Sequence, residues 1–478
     1  MSFYQWHFPG VYYDEVILVN QAYQVLDGQF PLIGNVPYVG ALKGYLHAPF
    51  VHFFPGSVFW LRAVPIGLSL ITAIFYYLLI RDIFKSPKTA SVALALFLLH
   101  PTLIFSTRVD DGPVSTLLLF EILVLYFLHK GIQTNQLWNF LLAGLFAGLG
   151  IWQKAYFLWL IFALFLLAPF AIKITKQRVL HFGIFSAALI IGASCLLLYN
   201  ALNDWPLLHY SADYDYNLQS LRHKGRNLFH ILLGIERYKQ YIGKPLSFPC
   251  LTLIPFLFSL LFVSHSTANK KVAYLSFALL LLLTVQTMSI TVSGFAPRHY
   301  VLLFPLFGVP IVALWQDSTG ILRKTFTGLI ALAILSQGIV IQLYHQALGN
   351  TEGTQVWSSA IYEVADYVSA NPNENYIAMD WGISASLEFL TANKVEIKEP
   401  YWVYPKTEKG LERLLTNTRA HSAHFIFHSP SKEVFSEGRN IFERYLEIRN
   451  SKELVLQRFF EAGGEELLII SRQYNRAQ

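Results

Sequence analysis

Four carboxylates and four isolated cations hold most of the chemistry this sequence can offer. Asp14 and Glu15 are adjacent in Gly10-Val11-Tyr12-Tyr13-Asp14-Glu15, and Asp110 and Asp111 are adjacent in Arg108-Val109-Asp110-Asp111-Gly112-Pro113. A carboxylate held near a low-dielectric surface can take the proton of an attacking hydroxyl. Lys43, Arg108, Lys154 and Arg298 each stand alone in a short polar stretch, and His299 follows the last of them. Fixed cations of this kind can hold a phosphate and stabilise charge that builds on it. Each group also has a plainer reading. Asp14 and Glu15 suit the acidic first turn of an ordinary helix. Asp110-Asp111-Gly112-Pro113 suits a turn and a helix cap, and a lone cation beside an apolar run suits an interfacial anchor. Glu121 differs because it sits inside an apolar run, where an acid usually has a role or a buried partner. No metal site is expected: His47 and His52 flank a proline, and His421, His424 and His428 lie on and before one strand.

The elements that must hold these groups are apolar. Hydrophobic residues make up 54% of the 478-residue chain and charged residues 14%, against roughly 25% charged in soluble domains. The deficit is uneven. From Phe54 to Tyr344 long apolar runs alternate with short polar loops, and after Asn350 charges are mixed throughout. A boundary near Gly349 therefore separates a multi-span transmembrane domain, 1–349, from an α/β domain, 350–478. A helix needs about 20 apolar residues to cross the hydrocarbon layer. Spans are expected at Val58–Ile80, Ser91–Thr107, Val114–His129, Leu137–Ile151, Ala155–Ile172, Val179–Ala201, Phe248–Ser264, Val272–Ser293, Tyr300–Trp315 and Lys324–His345. That gives an α-helical polytopic membrane protein of about ten spans. The Trp152-Gln153-Lys154 centre argues for two elements, not one, across Leu137–Ile172.

Loop charge sets the expected orientation. Arg81, Lys85 and Lys88, Lys130, Lys173, Lys176 and Arg178, Lys270 and Lys271, and Arg323 and Lys324 mark alternate loops, which the positive-inside rule puts in the cytoplasm. The N-terminal segment, the four carboxylates and the 350–478 domain then fall on the outer face of a plasma (inner) membrane. Nothing apolar precedes the N-terminal segment, so the expectation is that an original first helix is missing. Cys195 and Cys250 both lie in apolar runs, which argues against a disulfide framework. The net charge of +6 sits in loops between spans, with no Lys/Arg tract of the kind that binds nucleic acid. In the C-terminal domain Tyr376–Met379, His424–His428 and Leu467–Ser471 read as strands. Ile383–Leu390, Lys409–Thr416 and Glu433–Ile448 read as helices.

The outer segments follow a pattern. Asp14-Glu15 is followed by Gly28-Gln29-Phe30-Pro31, Tyr38-Val39-Gly40 and Tyr45-Leu46-His47-Ala48-Pro49, then by Arg108–Pro113 and by Pro297-Arg298-His299-Tyr300. Over Gly10 to His345 this resembles the GT-C superfamily of membrane glycosyltransferases, most of all the branch with protein O-mannosyltransferases and lipid A aminoarabinose transferases. That branch has an Asp-Glu pair in its first external loop and a further acid in the second, places matched here by Asp14-Glu15 and Asp110/Asp111. The resemblance implies a polyprenyl-phosphate sugar donor, attack by an acceptor hydroxyl on the anomeric carbon, and departure of the lipid phosphate. It implies Asp14 as general base, Glu15 in a supporting part, and Asp110 and Asp111 as a second acidic site. Lys43, Arg108, Lys154, Arg298 and His299 would surround the donor phosphate, with Tyr12, Tyr13 and Tyr45 lining a sugar cavity. No cofactor is expected. The partners would be the lipid-linked donor, membrane lipid, and an acceptor that is a glycolipid, a polymer or a protein. Two other readings stay open: a secondary transporter, which would concentrate polar groups at mid-membrane, and a non-catalytic relative whose outer domain binds.

Overall fold

The structure is a computed structural model and describes residues 6–173, 175–209, 218–265, 268–289, 296–399, 408–416, 418–435 and 437–475. Among the described residues four helices, Val58–Phe84, Val114–Thr134, Lys270–Ser289 and Gly320–Thr351, are long and apolar enough to cross a membrane alone. Two further crossings are broken: Pro87–Leu98 with Pro101–Val109, bent by 65°, and Lys176–Gly192 with Ser194–Leu202, bent by 60°. Four shorter apolar helices, Leu137–Gln153, Ala155–Ala171, Leu253–Phe262 and Val301–Asp317, take the remaining expected places.

The first break corrects the continuous helix expected over Ser91–Thr107. Pro101 has no N–H to continue the preceding helix and instead opens a new one at its first position. His100, just before it, bonds through Nε2 to the Leu232 carbonyl at 3.1 Å. The bend re-aims the short Pro101–Val109 helix so that it delivers Asp110 and Asp111 to the end of the bundle. The break at Gln153 lies where the sequence suggests: Lys154 is extended, at φ −160° and ψ 123°, and a short 3-10 turn restarts the chain.

Packing between helices relies on small residues. Gly144 and Gly148 bring Leu137–Gln153 against Lys176–Gly192 so closely that a Cβ at either would strike the carbonyl oxygens of Phe185 or Leu189. Such contacts replace the hydrophobic drive that is missing between helices in lipid. The outward face stays apolar, with Phe162, Phe165, Phe170, Ile191 and Leu261 all more than half exposed, as a hydrocarbon-facing surface requires.

Two amphipathic helices, Leu218–Leu232 and Ile235–Ile242, lie within Asn203–Lys244, which sequence reading leaves as a loop. The C-terminal domain is a five-stranded sheet in the order β2-β1-β3-β5-β4. The strands are β1 Asn375–Ala378, β2 Ile397–Lys398, β3 Ala423–His428, β4 Ser451–Phe460 and β5 Glu466–Asn475. β1 runs parallel to β2 and β3, and β5 runs antiparallel to β3 and β4. The domain sits directly on the N-terminal segment through the Ser384–Leu390 helix and the Gln355–Trp357 turn. Val11, Tyr13 and Val16 share an apolar cluster with Ala385 and Phe389, Tyr12 stacks on Trp357 at 3.8 Å, and the Gly10 N–H donates to the Trp357 carbonyl at 2.7 Å.

Candidate active site

Asp14 lies in the first turn of the Tyr13–Val16 helix, and its carbonyl accepts the N–H of Gly112 at 3.1 Å. That bond ties the N-terminal segment to the Asp110–Pro113 turn. Gly112 has φ +99°, a conformation that favours glycine, and a Cβ there would come within 3.2 Å of the Arg298 side chain. Arg298 arrives from the third segment. Its Nη1 donates to Asp14 Oδ2 at 2.6 Å and lies 3.5 Å from Asp111 Oδ2. Asp111 is gripped in turn by Arg237, with Nη1 to Oδ2 at 2.8 Å and Nη2 to Oδ1. The result is an alternating chain, Asp14–Arg298–Asp111–Arg237. Its two halves differ in access: the Asp14 and Arg298 side chains are 19% and 21% exposed, those of Asp111 and Arg237 2% and 1%. A substrate can therefore reach the first pair, while the second serves as its mount.

Other groups complete the cluster. The Tyr12 hydroxyl bonds to Asp14, and burial together with that carboxylate pushes it up, so it stays a protonated donor. The Lys154 ammonium is buried over the Tyr156 ring at 5.0 Å, and the Tyr156 hydroxyl donates to the Arg298 carbonyl at 3.0 Å. Burial first, then the Arg298 charge, pushes Lys154 down to about 7, with Asp14 and Asp111 opposing. His299 is held well below its usual range, by burial and then by Lys154 and Arg298.

The other residues singled out in the sequence lie apart from this cluster. The Glu15 carboxylate is fully buried and held by Arg62, Nε to Oε1 at 2.8 Å and Nη2 to Oε2 at 3.0 Å. Arg62 also donates to the carbonyls of Trp6 at 2.6 Å and Pro9 at 2.8 Å. The Lys43 ammonium pairs with Asp110 Oδ2 at 3.0 Å and donates to the carbonyls of Asp110 at 2.6 Å and Glu15 at 3.0 Å. It fastens the N-terminal segment to the Asp110–Pro113 turn, and its donors are used up in doing so. Asp110 Oδ1 caps the next helix by accepting the Ser115 N–H at 2.8 Å, which is the plainer reading of that residue. Arg108 donates to the Phe8 carbonyl at 2.8 Å and lines a separate apolar cavity of about 280 Å³ with Trp6, Leu118 and His345. The expectation that Tyr12 and Tyr13 line an open sugar cavity is corrected. Both rings are covered by the C-terminal domain, Tyr12 by Trp357 and Tyr13 by Trp381 at 5.2 Å. Tyr45 is half-buried, with its hydroxyl on the Pro31 carbonyl at 3.1 Å.

The Glu15–Arg62 pair makes a stability prediction. Removing one member of a fully buried ion pair strands the other, at a typical cost of about 3–5 kcal/mol. Arg62→Gln should therefore lower the thermal midpoint of the detergent-purified protein, and adding Glu15→Gln should recover part of the loss. An unchanged midpoint in Arg62→Gln would contradict the pairing.

Arg237 is the member of the cluster that sequence reading misses. Its signal is weak: it is one of two cations, with Lys239, on an amphipathic helix, Ile235–Ile242, inside a long polar loop. Deeper in the bundle an apolar cavity of about 1070 Å³ runs along the helices, lined by Tyr76, Ile122, Trp159, Phe162, Leu279 and Pro305 among others. Glu121, beside Ile122, is fully buried, and neither of its oxygens has a partner among the described residues.

Comparison with known proteins follows the same lines. Residues 41–198 match the family model described as dolichyl-phosphate-mannose-protein mannosyltransferase. The structure superposes on ArnT from Cupriavidus metallidurans in the apo state, with a TM-score of 0.66 at 10% identity over 96% of this chain and 92% of that one. It also superposes on the same protein bound to undecaprenyl phosphate, with a TM-score of 0.64 at 10% identity over 96% and 93%. No curated protein sequence matches. At that identity the likeness is one of architecture, and it extends over nearly the whole of both chains: this is a membrane protein with the GT-C fold.

Proposed function

We propose that this protein transfers a sugar from a polyprenyl-phosphate donor to an acceptor hydroxyl at the membrane face that carries Asp14. The observation that supports this most is the partly exposed Asp14–Arg298 pair, which sets a carboxylate beside a cation at 2.6 Å. The long apolar cavity begins one helical turn away, since Trp159 lines it and Tyr156 bonds Arg298. A lipid phosphate would lie against Arg298 and Lys154 with the first part of its chain at the Trp159 end of the cavity. Asp14 takes the proton of the acceptor hydroxyl, the hydroxyl oxygen bonds to the anomeric carbon with inversion, and the carbon–phosphate oxygen bond breaks toward the phosphate. Arg298 and Lys154 stabilise the charge that the phosphate gains. Asp111 and Arg237 hold Arg298 in place. Glu15 and Lys43 fix the loops through Arg62 and Asp110, and His299 stays neutral beside the cations. The ArnT complex with undecaprenyl phosphate supports a polyprenyl lipid as partner.

The testing experiment is sugar transfer in proteoliposomes. Purified protein is given defined polyprenyl-phosphate sugars and a panel of glycolipid, polymer and peptide acceptors. Release of polyprenyl phosphate matched by glycosylated acceptor supports the reading. Uptake of solute without transfer would favour a transporter, and donor binding with neither would favour a non-catalytic relative.

Lys154 gives a pH prediction. Its charged form prevails below about 7, so its hold on the donor is complete at low pH and lost as pH rises. The donor is a phosphodiester and does not itself titrate there. Donor affinity should fall about tenfold from pH 6 to pH 8, the worth of one charge-assisted contact. Lys154→Met should flatten that profile; a wild-type profile already flat would refute the assignment.

The proposed orientation places the Arg81–Lys88 loop in the cytoplasm and residues from Asn350 onward outside. Ser86→Cys should resist an impermeant thiol reagent in intact spheroplasts, and labelling there would reverse the topology.

A further inference from the structure

The transfer chemistry uses only one end of the large apolar cavity. The other end has its own polar equipment. The Val114–Thr134 helix starts beside Asp111, and His129 lies roughly 22 Å along it at 1.5 Å per residue. There the cavity lining, elsewhere mostly apolar with Ser186, Ser276 and Gln286 among it, carries His129, Arg178 and His181.

Arg178 and His181 are arranged as a unit on Phe140. The His181 ring stacks on Phe140 with centroids 4.3 Å apart and planes 18° apart, and the Arg178 guanidinium lies over the same ring at 5.9 Å. Arg178 Nη2 donates to the Ile132 carbonyl at 3.0 Å, and Nη1 lies 3.5 Å from His181 Nδ1. A guanidinium can only donate, so Nδ1 is the acceptor in that contact. A neutral imidazole with Nδ1 accepting carries its hydrogen on Nε2, a tautomer assigned from the network. His181 is only 1% exposed, and its Nε2 has no partner among the described residues. The site thus offers a buried N–H that lacks an acceptor and a guanidinium with further N–H groups beyond its two described bonds. Both ask for an anionic oxygen. Between this end and the carboxylates the cavity is walled by Ile122, Leu125, Leu279 and Val309, and Phe162 and Phe165 flank its lipid-facing opening, a lining that suits hydrocarbon and excludes a free hydrated ion as the main occupant.

We propose that this end of the cavity is a second anionic-lipid site, in which Arg178 and the His181 Nε2–H hold a lipid phosphate and the cavity holds the chain. It is distinct from the Asp14–Arg298 cluster and does not depend on sugar transfer. Its phosphate can belong to a polyprenyl phosphate or to a bulk phospholipid, and the experiment separates the two.

Native mass spectrometry of the full chain in detergent is the test, with added C55 polyprenyl phosphate, phosphatidylglycerol, or phosphatidylcholine as zwitterionic control. Wild type should retain an anionic lipid in preference to phosphatidylcholine. Arg178→Gln, at a half-buried position in the first turn of its helix, should weaken that lipid about tenfold, as expected for losing a charge-assisted contact. His181→Phe keeps the stack on Phe140, removes the N–H, and should weaken it in the same direction. If polyprenyl phosphate binds twice and one copy is lost in both variants, the carrier lipid is the occupant. If only phosphatidylglycerol binding is lost, a bulk phospholipid is. Unchanged binding of every anionic lipid in both variants, or equal retention of phosphatidylcholine by wild type, would overturn the proposal.

Discussion

Asp14→Asn should insert and fold like the parent, bind the lipid donor, and lose nearly all transfer, a fall of about 10²–10⁴-fold for a positioned base. The geometry makes this a clean substitution. The Asp14 side chain is 19% exposed and its partner Arg298 21%, and Asp111 Oδ2 lies 3.5 Å from the same Arg298 nitrogen, so the guanidinium keeps an anionic partner when Asp14 loses its charge. Asn keeps the shape and can still accept from Arg298. The Tyr12 hydroxyl keeps a partner too. What disappears is basicity. Donor binding should hold or tighten slightly, because a carboxylate no longer competes with phosphate for Arg298. Glu15→Gln provides the contrast: its carboxylate is buried on Arg62, so its loss should appear in the thermal midpoint before it appears in transfer at permissive temperature. Well-expressed Asp14→Asn with transfer near the parent rate would refute the assignment and move attention to Asp111, the remaining carboxylate of the cluster.

The contrast between Asp14 and Glu15 shows where sequence reading stops. The two are adjacent, equally acidic and equally placed relative to the first span. A helical turn points them about 100° apart, one toward Arg298 and the other toward Arg62, and only the fold says which cation lies on which side. The same limit explains Lys43 and Arg108. As isolated cations they are indistinguishable from Lys154 and Arg298 in the sequence, but their nearest anions and carbonyls come from segments distant in the chain. Lys43 reaches Asp110, 67 positions away. Arg237 hides for the converse reason, because the apolar periodicity of Ile235–Ile242 spans barely two turns. What was legible was whatever depends on local composition. Apolar length marked the spans, and the polar Trp152-Gln153-Lys154 interruption marked a real helix end. The break at His100–Pro101 was in plain view as a proline but was masked by the apolar residues on both sides. In the C-terminal domain the buried strands β1 and β3 were visible as apolar runs. β4 was not, since Lys452, Glu453, Gln457 and Arg458 give an edge strand the look of a loop.

Arg298→Gln should reduce transfer by roughly 10²–10³-fold, the usual cost of removing one preorganised group from the developing charge. The loss should divide between donor affinity and turnover, because Arg298 would meet the phosphate before, and more strongly after, the bond breaks. The fold should survive: Asp111 keeps its bidentate partner Arg237, so no buried charge is stranded. Arg298→Lys is the sharper variant. The guanidinium touches Asp14 at 2.6 Å and Asp111 at 3.5 Å through one nitrogen, which leaves other N–H groups directed elsewhere, and a forked donor is what phosphate recognition uses. An ammonium keeps the charge but not the fork. It should restore donor affinity partly and turnover poorly. Turnover by Arg298→Lys close to wild type would reduce Arg298 to a point charge. If Arg298→Gln also kept donor affinity, the phosphate would have to rest on Lys154 alone, and Lys154→Met would then be the variant that abolishes binding.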